Sequence, residues 1–172
     1  MELLFSLSRW IHIVSGFLAL FIFWIPMITR KGSKVHRQIG KLFVIAMLAI
    51  AGSAFYMGSY RIIWDSGAGE DIISFSWFLI FIALLSVVSA FHGIRVLRFK
   101  SRTTMHQQWQ DLWLAFLLVI ANIGIMTYGW FIKVTLLTYF PLIGLFLGAS
   151  QLYYWFTKPK LTSHWVIEHI VG

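Results

Sequence analysis

The chain has 172 residues, of which 59% are hydrophobic and 12% charged, whereas a soluble domain is about 25% charged. Its mean hydropathy is +0.80, and apolar runs of about 20 residues recur that a soluble core of this size could not hide. The composition therefore excludes a water-soluble fold and defines an integral membrane protein. The lack of cysteine excludes disulfides, thiolate metal sites and Cys nucleophiles. The net charge of +8 does not point to nucleic acid, because the bases stand at the ends of apolar segments, where membrane topology places them.

The start, "MELLFSLSRW", has Glu2 ahead of any base and reads as a retained helix rather than a cleaved signal peptide. Five segments are long enough to cross a hydrocarbon core: Phe5–Thr29, Gln38–Tyr60, Ile73–Leu97, Asp111–Phe131 and Val134–Thr157. A final stretch, "LTSHWVIEHIVG", reads as an interfacial helix or the start of a sixth span. The expected fold is all-α, a single transmembrane helical bundle over residues 1–172 with five spans and a C-terminal His-bearing partial or sixth helix.

Basic residues set the expected orientation. Arg30, Lys31, Lys34, Arg37 and Lys41, then Arg95, Arg98, Lys100 and Arg102, then Lys158 and Lys160 fall on one side. Only Arg9, Arg61 and Lys133 fall on the other, so the crowded side is expected to be cytoplasmic and the N-terminus outside. Trp10, Trp64, Trp77 and Trp130 near one set of ends, and Trp109, Trp155 and Trp165 near the other, mark the same boundaries. "AGSA" at Ala51–Ala54 and the Gly144-xxx-Gly148 pair are the places where helix backbones are expected to approach closely.

Polar side chains at membrane depth are costly and tend to face a bundle interior, so the six histidines carry most of the chemical information. His36, His106, His164 and His169 lie in or beside the basic loops, and His92 lies near the same end of the third span. Ser86, Ser89 and His92 recur every three residues and share a helix face. Such a stripe is read either as interhelical hydrogen bonding or as a ligand site.

At about 1.5 Å per residue, His12 stands roughly 25 Å from the basic end of its helix and His92 about 7 Å from the basic end of its own, so the two are not expected to share one haem. A haem b would instead pair His92 with His36, His106, His164 or His169, with Arg37 as the natural partner for a propionate or a lipid phosphate. A metal centre would draw on the same cluster, His164 included, since imidazole suits Zn, Cu and Fe. Its acids are only Asp111 and Glu168, and no H-E-x-x-H motif is present. His12 with Asp65, Glu70 or Asp71 would be a metal site on the opposite side, although acids in a Gly-rich loop are ordinarily just solvated. A G-x-S-x-G elbow and a phosphate-cradling Gly-rich loop are both missing.

The segment "HIVSGFLALFIFWIPMITRKGSKVHRQIGKLFVIAM" resembles a bacterial family of multi-span membrane proteins, the domain of unknown function 2306. There, H-x-x-x-G-x-x-A-L leads into R-K-G-x-x-x-H-R-x-x-G and an apolar helix with a Met. The matching positions here are His12, Gly16, Ala19, Leu20, Arg30, Lys31, Gly32, His36, Arg37, Gly40 and Met47. "MHQQWQD" is similar to a later His and Trp of the family at His106 and Trp109, but Gln110 and Asp111 stand where the family commonly has Met and Arg. His169 resembles a C-terminal His. The resemblance implies a multi-pass protein of the bacterial inner (cytoplasmic) membrane with recurrent histidines, in contact with the lipid bilayer.

Three functions are consistent with these features. One is a non-catalytic membrane component or assembly factor, with a membrane protein partner or a second copy of itself. A second is a haem-binding, cytochrome-b-like electron-transfer protein using His92 with His36, His106 or His169. The third is a metal-dependent membrane enzyme acting on lipid or quinone at the cytoplasmic leaflet.

Overall fold

A computed structural model describes residues 2–171. The described residues are helical apart from turns and short connections, so the fold is all-α. Eight helical segments run in chain order: α1 (Glu2–Ile22), α2 (Trp24–Ile28), α3 (Lys34–Ile63), α4 (Glu70–Val96), α5 (Trp109–Phe131), α6 (Thr135–Tyr139), α7 (Pro141–Phe156) and α8 (His164–Val171). They supply five stretches long and apolar enough to span a membrane, with α1 and α2 together making the first and α6 and α7 the fifth. Large apolar side chains such as Trp10, Phe17, Phe21, Phe146 and Ile120 stand exposed, a surface that only lipid solvates without cost.

Local chemistry sets the breaks. Pro26 has no N–H to bond back to Ile22, and the first span is interrupted at Phe23, between α1 and α2. Gly32, at φ +80°, turns the chain into α3, and the Ser33 side chain caps that helix by accepting from the His36 N–H at 3.2 Å. The cap starts α3 at Lys34, ahead of the expected Gln38, so His36 and Arg37 lie in its first turn. Glu70 and Asp71 likewise open α4 instead of standing in the preceding loop, where negative charge favours a helix start. The fifth span is divided because Pro141 begins a new helix in its first turn.

The chain divides into two compact units, residues 1–87 and 88–172, with the boundary inside α4. In the first unit α1 packs on α3, and Ala51 and Ala54 meet Ala83 in a tight small-residue cluster. A Cβ on Gly58 would stand 2.8 Å from the Ser76 carbonyl, so α3 and α4 touch through backbone there. In the second unit α5 packs on α7. A Cβ on Gly148 would come within 2.9 Å of Val119, and one on Gly144 would strike the Asn122 amide. The Gly-xxx-Gly pair is therefore a contact surface, and so are the three small side chains of "AGSA", Ala51 and Ala54 toward Ala83 and Ser53 toward His12, with Gly52 facing open space.

Two glycines of α5 give a matched test of this packing. A Cβ on Gly129 would lie 2.6 Å from the Leu137 backbone, whereas one on Gly124 meets nothing within 4 Å. Gly129→Ala is expected to destabilise the protein by ~1–3 kcal/mol, and Gly124→Ala to be neutral or slightly stabilising through helix propensity. Thermal unfolding in detergent checks both, and equal melting shifts would contradict the packing.

Candidate functional site

The second unit holds most of the buried polar chemistry, at the end where α4 stops and α5 begins. Asp111, in the first turn of α5, has a side chain with no exposure. Arg95, in the last turn of α4, grips it with two nitrogens, Nε to Oδ1 and Nη2 to Oδ2 at 3.2 Å. His106 Nε2 reaches Oδ2 at 2.6 Å. A carboxylate sealed from water would otherwise carry a large desolvation cost. A forked guanidinium, an imidazole and the helix N-terminus together offset it.

Aromatic rings wall in this pair of contacts. The His106 ring lies 4.3 Å from that of Phe99 and 4.8 Å from that of Trp155. Trp155 joins Val96, Leu112 and Tyr154 in the unit's apolar core. Arg102 then ties the loop to α7, donating to the carbonyls of Tyr154 at 2.8 Å and Thr157 at 3.0 Å, which belong to the last turn and cap of that helix and have no partner within it. Its guanidinium also stacks 4.3 Å over the Tyr154 ring.

Three side-chain bonds fasten α8 to the rest of the unit. His92 Nε2 meets Glu168 at 3.1 Å, His169 Nδ1 donates to the Gly93 carbonyl at 2.8 Å, and His164 Nδ1 pairs with the Tyr154 hydroxyl at 2.9 Å. The Gly93 carbonyl is among the last four of α4 and has no intrahelical partner. His164 Nε2 differs from the other contacts in being buried with no hydrogen-bond partner. Burial first, and the nearby Arg102 charge second, hold the His164 pKa below the ordinary imidazole value of 6.5.

Of the residues singled out in sequence, His92, His106, His164 and His169 all belong to this unit and all engage partners within it. His36 belongs to the first unit, where its Nδ1 donates to the Pro26 carbonyl at 3.1 Å, and Arg37 is exposed there. His12, also in the first unit, bridges α1 to α3 through the Ile50 carbonyl and Ser53 Oγ, both at 3.2 Å. Among the described residues no group of three or more His, Cys, Asp or Glu is placed to hold a metal ion. For haem, the nitrogens of His92 and His106 that would face iron are the ones bonded to Glu168 and Asp111, so these two rings do not fit axial ligation as they stand. A cleft lined by Trp130, Lys133, Thr135, Thr138 and Tyr139 sits at the far end of α5, about 28 Å along the helix from Asp111.

In the sequence Arg95 and Arg102 counted only toward orientation and Tyr154 had no role, while Asp111 and Glu168 stood out as the scarce acids of the basic side and Asp111 as a departure from the family pattern. One signal was available: Arg95 follows His92 by three residues, on the same face of α4, and needs a carboxylate at membrane depth. Partners 16 and 76 residues away have no such local mark.

The fold and its buried ion pairs define a multi-pass α-helical membrane protein. Residues 9–143 match the family model described as "Predicted membrane protein (DUF2306)", and the chain belongs to that family. No curated protein and no solved structure matches the chain.

Two outcomes follow from the polar cluster. Asp111→Asn leaves Arg95 charged and unpaired, and is expected to cost ~3–5 kcal/mol of stability, partly regained when Arg95→Met is added; wild-type melting of the single variant would contradict the pairing. For His164, the undocked ring has the ordinary pKa and the docked ring a lower one, so the undocked state binds more protons in between. Its contribution to α8 docking is complete above about 6.5 and is lost as pH falls through the docked value. Protection of the α8 amides, taken relative to the intrinsic exchange rate at each pH, should therefore fall as pH drops below about 6.5, and fall less in His164→Gln, which has no ring to protonate.

Proposed function

We propose that this chain is a non-catalytic component of the bacterial inner membrane, an assembly factor or subunit, in which histidines join helices instead of holding a cofactor. One observation carries the reading: His92 and His106 spend their Nε2 atoms on Glu168 and Asp111 inside the same unit. Buried ion pairs of this kind specify how helices meet more than they add net stability. The basic loops are proposed to face the cytoplasm, with the N-terminus outside, on the excess of Lys and Arg there. The partner is proposed to be a membrane protein or a second copy of the chain.

A second reading, haem or metal binding, has one specific observation in its favour. His164 keeps a buried Nε2 without a partner while Tyr154 orients the ring through Nδ1, the arrangement in which imidazole ligands are held by their surroundings. A metal-dependent enzyme of lipid or quinone would need further ligands around that nitrogen.

Purified protein from haem-supplemented cells separates the two readings. The expected result is no Soret band with or without dithionite, and metal content well below one per chain. A Soret band that shifts on reduction and disappears in His164→Ala or His92→Ala would overturn the proposal, as would stoichiometric Fe, Zn or Cu.

A further inference from the structure

The first unit contains a polar group for which the reading above has no use. His12 Nδ1 lies 3.2 Å from the Ile50 carbonyl, which can only accept, so Nδ1 carries the proton of the neutral ring. Nε2 is then a lone-pair acceptor. It has no hydrogen-bond partner among the described residues, and the ring is only partly buried. The hydroxyl of Ser15, one turn further on, also has none. His12 lies in the first stretch long and apolar enough to span a membrane, two residues beyond Trp10, and an unpaired polar atom on a surface facing lipid is costly.

The space beside them is open. Gly16 lies on the face of α1 that includes His12 and the buried Ala19, and yet a Cβ there would meet nothing within 4 Å. A helical side chain leans back over the preceding turn, so a side chain at 16 would cover the region next to the His12 ring. Glycine leaves that space open, beside one acceptor and one hydroxyl and among the exposed apolar side chains of α1.

We propose that His12, Ser15 and Gly16 form a binding site for a membrane-soluble amphiphile that presents an O–H group. The ligand hydroxyl donates to His12 Nε2, Ser15 Oγ donates to the ligand oxygen, and the apolar body lies over the open surface at Gly16. An isoprenoid-type quinol and a protonated fatty acid share this chemistry. The inference goes beyond the proposed function and does not depend on it, since a non-catalytic subunit and a cofactor protein could each carry such a site.

The test uses the full chain in lipid nanodiscs with ¹⁵N-labelled histidine. The His12 Nε2 resonance is assigned by its loss in His12→Phe and followed during titration with a short-chain benzoquinol or with oleic acid. A saturable, stoichiometric shift is expected with at least one probe, and which probe gives it identifies the source of the hydroxyl. Gly16→Leu fills the open space at 16, where a Cβ meets no neighbour, and is expected to melt like wild type while weakening binding about tenfold or more. No saturable shift with either probe would overturn the proposal, as would unchanged affinity in Gly16→Leu.

Discussion

Asp111 is the constraint on which the second unit depends. Its carboxylate is closed off from solvent, and a bare charge in that position would unfold or neutralise the site. The charge is kept by bringing Arg95 from the end of α4 and His106 from the connecting loop onto its two oxygens. Once they are fixed, the loop must lie against α7, where Arg102 closes the helix end and His106 stacks on Trp155. One buried charge thus fixes a helix end, a loop and the face of a second helix together.

The attachment of α8 follows the same logic with weaker groups. Its eight residues are too few to hold a helix in isolation. Contacts through His164, Glu168 and His169 supply the rigidity that length does not. Each ends on a group that needs a partner: a phenol, an imidazole or an unpaired helix-end carbonyl. Histidine suits this work because its two nitrogens can join a donor to an acceptor across helices. The first unit uses it likewise, His12 tying α1 to α3 and His36 closing the end of α2.

Much of the fold was legible because lipid imposes long apolar runs with punctuation at their ends. Five helices long and apolar enough to span a membrane were legible, and Gly144, Gly148, Ala51 and Ala54 were located as contact points by size alone. The misplaced starts of α3 and α4 have a common cause: polar residues that looked like loop, Lys34 to Arg37 and Glu70 to Asp71, are the first helical turns, set by a Ser33 cap and by charge at a helix start. The break at Pro141 was legible in principle. His36, His92, His106, His164 and His169 were expected on one side of the membrane; the last four belong to the second unit and His36 to the first, and their engagement by Asp111, Glu168, Tyr154, Gly93 and Pro26 had no mark in the sequence.

The amino-acid sequence by itself determined that this chain is a multi-pass membrane protein, where its apolar helices run, and that five of its six histidines stand in or near the base-rich segments. Those properties are additive along the chain, because hydropathy, charge and small residues act at their own positions. Only the tertiary structure decided which nitrogen meets which oxygen, that Asp111 is neutralised by Arg95 and His106, and that His12 and His164 each keep an Nε2 unspent. A hydrogen bond falls off within an ångström and depends on direction, so pairings between distant residues exist only once the helices have packed.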